Sequence, residues 1–262
     1  MSTEIAELYF ENSKLRATDP TVFNDVLDAN PVLSEVDIEA IARAKCEQLK
    51  AQGKLSDEDY DRALWQERQS VRRDTTEENT NVKEIFRVMA FAFICFCRSG
   101  RHPLMWTHYA DKHQGVQLEF DEQHACFAGK LHNIVYLEER PILTRAEMSE
   151  LTASSNTPDL VAPSFFFQKA LEWSYEQEVR LCLRSNEIER TPGAWGAKGL
   201  YGVPFTALRS VTFGNRSHQY SANLRKLIRA VVEREKLQIK AYEVRVSSTE
   251  YKLEKHEIQL ND

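Results

Sequence analysis

The sequence lacks several features that would settle its class at once. It has no CxxC pair, and its cysteines (Cys46, Cys95, Cys97, Cys126 and Cys182) are odd in number. That argues against a disulfide framework and leads us to expect reduced thiols in a cytoplasmic protein. Cys95 and Cys97 share a strand face and read as buried free thiols, with no further ligand in register for a metal. Long apolar runs are missing as well. The longest, VMAFAFICF, covers only Val88 to Phe96, too short to span a bilayer, so no membrane partner is expected. The start, MSTEIAELYF, has neither the basic segment nor the apolar stretch of a signal peptide. There is no basic excess: Lys+Arg number 34 against 40 Asp+Glu, a formal net charge of −6. The overall balance therefore does not advertise nucleic-acid binding. No internal repeat and no low-complexity linker divides the chain.

What is present suffices for a packed core. Hydrophobic residues make up 42%, with 13 Phe, 9 Tyr and 4 Trp, which excludes disorder as the overall state. We expect one α+β domain over 1–262, with a mixed, largely antiparallel sheet core and flanking helices. A charged helical insertion is expected over 33–74. There Ser34 and Ser56 read as N-caps, with Asp59 three residues after the second, and Gly53 ends the first helix. A third helix is expected through VKEIFRVMA, followed by the strand FAFICFCR. Beyond it, GVQLEFD, LHNIVYLEE, LRSVTFGN, LQIKAYEVRV and YKLEKHEIQ read as strands. TRAEMSELTA and SFFFQKALEWS read as helices. SANLRKLIRAVVEREK has Leu224, Leu227, Ile228 and Val231 at helical spacing. TPGAWGAKGLYG (191–202) reads as a surface loop and fits no phosphate-loop motif.

Two stretches carry chemistry. In LEWSYEQEVRLCL, Glu176, Glu178 and Arg180 alternate with Val179, Leu181 and Leu183, so an extended chain would present one charged and one apolar face. The charged face is either a solvated surface with weak ion pairs or a carboxylate pair gathered for acid–base work. On an open face, Glu178→Gln would leave stability nearly unchanged. In MWTHYADKHQG, Met105, Trp106 and Tyr109 fall at helical spacing. Trp106 and Tyr109 either anchor a helix or stack on a planar ligand, with His108 or His113 in reach of its polar groups. These two histidines lack the HExxH spacing of a zinc site. Asn24, in the turn FND, is a candidate ligand contact. Lys169, seven residues before Glu176, reads as an exposed lysine, or else as a partner for an acidic group or a phosphate.

Four stretches in order carry a resemblance: FND (23–25), CFCRSGRHPLMWTHYADKHQGVQLEFD (95–121), FQKALEWSYEQEVRL (167–181) and SVTFGNRS (210–217). Together they resemble the bacterial domain of unknown function 2971 family, over most of the chain outside 33–90. That family is in turn remotely similar to ADP-ribosyltransferase-like proteins, which grip NAD with an early His or Arg, a central aromatic and a late E-x-E pair. The resemblance implies an NAD-using enzyme, a toxin or defence effector that modifies a protein or nucleic-acid acceptor or hydrolyses NAD. NAD would be a substrate, and no metal is implied. Glu178 would hold the ribose, Glu176 would activate the acceptor, Trp106, Tyr109 and Asn24 would bind substrate, and Arg180 would bind substrate through its phosphate or serve a structural role. The chain departs from the pattern in MSTEIAELYFE, which has no His and no Arg. That departure, with a partner docked on the helices of 33–74, would instead fit a non-catalytic binding or assembly module.

Overall fold

The structure, a computed structural model, describes residues 1–33, 38–71, 91–144, 147–148, 150–151, 161–189, 197–219 and 221–260. The Ser34 cap and the VKEIFRVMA helix lie outside the described residues.

Helix α1 (Thr3–Asn12) is capped by the Ser2 side chain and buries Ala6, Tyr9 and Phe10, one stripe of the helix. It stops at Ser13, whose φ of 55° turns the chain into β1 (Lys14–Thr18). β1 lies between β10 (Ala197–Gly202) and β3 (Phe91–Cys97). The five-stranded sheet has the order β10-β1-β3-β9-β5, with β9 at Glu178–Arg184 and β5 at Leu131–Asn133, and every pairing is antiparallel. A four-stranded sheet has the order β13-β12-β11-β4. Its strands are β4 (Val116–Phe120), β11 (Leu208–Phe213), β12 (Lys240–Val246) and β13 (Leu253–Ile258). Helix α4 (Pro103–Tyr109) precedes β4, and β11 and β12 run parallel, with helix α5 (Ala222–Glu235) making the crossover between them. Two small parallel pairs complete the sheets among the described residues: β2 (Val32–Leu33) with β7 (Ile142–Leu143), and β6 (Val135–Leu137) with β8 (Gln168–Ala170). The chain is α+β, with mostly antiparallel sheets.

The main core gathers Ala92, Ile94, Leu181 and Leu183 from one face of the larger sheet. Against them sit Val116, Val211 and Phe213 from the smaller sheet and Leu224, Ile228 and Val231 from α5. The other face of the larger sheet is also covered. Phe91 and Phe93 pack there with Phe165, Phe166, Leu143 and Ala29. This second cover is what positions the site.

Helices α2 (Ile38–Ala51) and α3 (60–71) pack on each other through Ala42, Cys46 and Leu64. Ser56 accepts a hydrogen bond from the Asp59 amide, and Gly53 has a left-handed φ of 67° just past α2. Several local expectations are corrected. SFFFQKALEWS forms no α-helix: two 3-10 turns, Ser164–Phe167 and Leu171–Glu176, flank β8. LHNIVYLEE splits into β5 and β6. The second half of TPGAWGAKGLYG is β10, held in the sheet by β1.

Candidate functional site

The E-x-E-x-R stretch does not lie along one strand face. Glu176 ends a 3-10 turn, Gln177 turns back with a φ of 46°, and β9 starts only at Glu178. Neither is the charged face solvated. Glu176, Glu178 and Arg180 are all buried, under the segments around Phe23–Ala29 and Phe165–Phe167. Arg180 has 0% of its surface exposed. Its guanidinium donates to Glu178 Oε1 at 2.6 Å, Asp28 Oδ2 at 2.5 Å and the Phe166 carbonyl at 2.6 Å, and it lies 4.6 Å from the centre of the Phe23 ring. With its donors committed to the protein, Arg180 fits the structural alternative, and the substrate- or phosphate-binding alternative is corrected.

Lys169, expected to be exposed, is buried among the same groups. Its ammonium donates to Glu176 Oε2 at 2.6 Å and Glu178 Oε2 at 3.2 Å, and sits 4.7 Å from the centre of the Trp173 ring. β8 and the following 3-10 turn fold this lysine back over the carboxylates that come seven and nine residues later. Three carboxylates, Asp28, Glu176 and Glu178, thus share two cations. Burial pushes the Glu178 carboxyl up, but the Arg180 hydrogen bond and charge, with Lys169, outweigh it and hold the group below its ordinary value. Asp28 goes the other way: burial dominates, Glu178 adds like charge, and the pKa is raised despite Arg180. Burial pulls Lys169 down, but Glu178 and Glu176 leave it net raised. A Glu178→Gln change therefore strands buried cations, so the expectation of unchanged stability is corrected.

Above this cluster opens a cleft of about 1350 Å³ lined by Asn24, Asp28, Lys169, Glu176, Glu178, Trp106 and Tyr109, among others. Tyr109 donates its phenol hydrogen to Glu176 Oε1 at 2.6 Å and accepts from Asn24 Nδ2 at 3.0 Å. Burial, then Glu176, push that phenol far above its ordinary value, so it remains a donor. The structure thus joins Asn24, Tyr109, Glu176 and Glu178 at one cleft. Trp106 borders it, yet only 2% of the residue is exposed. Its indole donates to the Gly100 carbonyl at 2.6 Å and packs with Ala110 and Val244. Of the two readings for Trp106 the helix anchor holds, and the substrate-binding role is corrected. His108 and His113 do not line the cleft. Cys95, expected to be buried, opens into it; desolvation there, then Glu178, push its thiol well above the ordinary value. The first strand of the fold, β1, carries Arg16, which is exposed, lines the cleft and has no ion-pair partner among the described residues. Among the described residues, no group of His, Cys, Asp and Glu could hold a metal ion.

Sequence reasoning missed Asp28 and Tyr136, whose hydroxyl accepts from the Glu178 amide at 2.7 Å. For Lys169 a signal existed in its place ahead of the E-x-E-x-R block. For Asp28, 152 positions from Arg180, no local signal exists.

No helix among the described residues is long and apolar enough to cross a membrane. No curated protein and no solved structure matches the chain. Residues 105–181, which include both the Met105–Trp106–Tyr109 block and the Glu176–Glu178–Arg180 block, match the family described as a protein of unknown function, DUF2971.

Proposed function

We propose that the chain is an ADP-ribosyltransferase-like enzyme that uses NAD, transferring ADP-ribose to a protein or nucleic-acid acceptor, as a toxin or defence effector would, or to water. The observation that carries this reading is the Glu176–Glu178 pair on a cleft of about 1350 Å³, with Tyr109 bonded to Glu176. That volume exceeds the roughly 300–1,000 Å³ usual for small-ligand pockets and leaves room for a dinucleotide. Arg180 and Lys169 keep Glu178 ionised. An ionised Glu178 would stabilise the ribosyl oxocarbenium centre as the C1′–N bond breaks and its electron pair leaves with nicotinamide. The acceptor oxygen or nitrogen then bonds to C1′ and its proton passes to Glu176. Arg16 supplies an uncommitted cation for the anionic part of the substrate.

The test is nicotinamide release by the wild-type chain and by Glu178→Gln, scaled to the folded fraction. A loss of about 100-fold or more is expected for the variant. A folded Glu178→Gln chain as active as wild type would end the catalytic assignment. One observation favours a second reading, the non-catalytic binding module: both Glu178 oxygens already hold protein donors, Arg180 and Lys169. A wild-type chain that neither binds nor consumes NAD would decide for that module.

A further inference from the structure

The cleft has a second part that the carboxylate chemistry leaves unused. The loop Arg98–Arg101 leaves the carboxylate end, where the Arg98 amide donates to the Gln177 carbonyl at 3.0 Å, and runs against the smaller sheet. There Gln117 on β4 and Thr212 on β11 are register partners, so their side chains stand beside each other on one sheet face. Both line the cleft. Neither side chain has a hydrogen-bond partner among the described residues, and the Thr212 hydroxyl is unpartnered with only 1% of the residue exposed. A buried hydroxyl without a partner is destabilising, so it calls for an explanation.

The surroundings set a loop backbone against the amide and supply apolar walls. A Cβ on Gly100 would stand 2.0 Å from Gln117 Oε1, so the loop backbone lies close against the amide, which would have to move aside for any side chain there. Trp106 ties that loop down through the Gly100 carbonyl. Val244 and Leu253 line the same part of the cleft. Of the charged neighbours, Glu119 accepts from Lys255 and from the Ser210 hydroxyl, and Arg209 pairs with Asp121, while Arg101 is exposed and has no ion-pair partner among the described residues. Beside these pairs stand two neutral groups, an amide with donor and acceptor and a hydroxyl.

We propose that Gln117 and Thr212 form a subsite for a planar ligand edge that sets an N–H donor beside an acceptor, the chemistry shared by a nucleobase and a carboxamide. A glutamine amide pairs with such an edge through two parallel hydrogen bonds. NAD carries both groups, so the inference deepens the function proposed above and rests on it for the identity of the ligand.

The test is calorimetric titration of the whole chain with adenosine and, separately, with nicotinamide. At least one should bind the wild type, and Gln117→Leu should weaken that binding about tenfold or more. Thr212→Val should weaken it less while keeping or raising the thermal midpoint, since it replaces an unpartnered hydroxyl by a methyl group. Loss confined to adenosine assigns the nucleobase, and loss confined to nicotinamide assigns the carboxamide. If neither binds wild type, or binding is unchanged in both variants, the subsite is overturned. Should Gln117→Leu fail to fold, Gln117→Glu decides: it keeps the shape and removes the amide donor, and unchanged binding overturns the subsite. Adenosine held through Gln117 by a chain that releases no nicotinamide refutes the enzyme reading alone. Nicotinamide release with KM unmoved by Gln117→Leu refutes the subsite alone.

Discussion

The helical pair α2–α3 and the floor of the cleft are both built from Glu, Lys and Arg, and they use them in opposite ways. On the helices, Glu39 takes Arg43 and Arg68, and Lys45 takes Glu67 at 2.6 Å, mostly with open access to water. On the cleft floor, Lys169 and Arg180 hold Asp28, Glu176 and Glu178 with almost no exposure. Water screens the first set, so each pair adds little beyond what hydration already supplied. The second set has given up its hydration, and each charge depends on its partners. Paired ions therefore matter by where they stand: the helical set dresses a surface, while the cleft set holds an arrangement that loses its balance when one member goes.

Breaking the buried set should have the largest effect. Arg180→Ala should destabilise the fold by about 3–5 kcal/mol in a denaturant titration, because Asp28 and Glu178 lose their common cation. A loss as small as that of a surface pair would erase the contrast. Next comes Glu178→Gln, expected to lower the thermal midpoint clearly while leaving a folded population for the nicotinamide assay.

Acid titration sharpens the contrast within the cluster. The folded Glu178 value lies below its unfolded one, so its contribution is present above the ordinary glutamate range and is lost as pH falls through the folded value. Asp28 is raised, so the folded chain keeps a proton that the unfolded chain has released above about pH 3.9. Its share of stability therefore falls as pH rises between those two values. Asp28→Asn should abolish that fall, and Glu178→Gln should abolish the loss on the acid side. Stability curves of both variants that parallel wild type throughout would show that neither carboxylate is perturbed. The smallest effect belongs to the helices: Lys45→Ala should cost less than about 1 kcal/mol, and less again at high salt.

The sequence by itself determined whatever depends on neighbours along the chain. Alternation marked Val179, Leu181 and Leu183 as one core face, and helical spacing marked Leu224, Ile228 and Val231 as the buried stripe of α5. Ser56 and Gly53 marked local caps, and the order of motifs pointed to the stretch that matches the family. The α+β class followed from the same periodicities. Other outcomes were decided by contacts between distant segments. Alternation places Glu178 and Arg180 opposite the apolar face, but it cannot say whether water or a second layer covers them. That was settled by Phe23, Asp28 and Phe165–Phe167 closing over β9 from elsewhere in the chain. Lys169 reads as exposed because isolated lysines are costly to bury, and it is buried because two carboxylates fold back onto it. The left-handed Gln177 that aims Glu176 and Glu178 at one ammonium leaves no mark in the hydrophobic pattern. Periodicity carries the local backbone, while the electrostatics of the cleft come from charges that meet only once the sheets have packed.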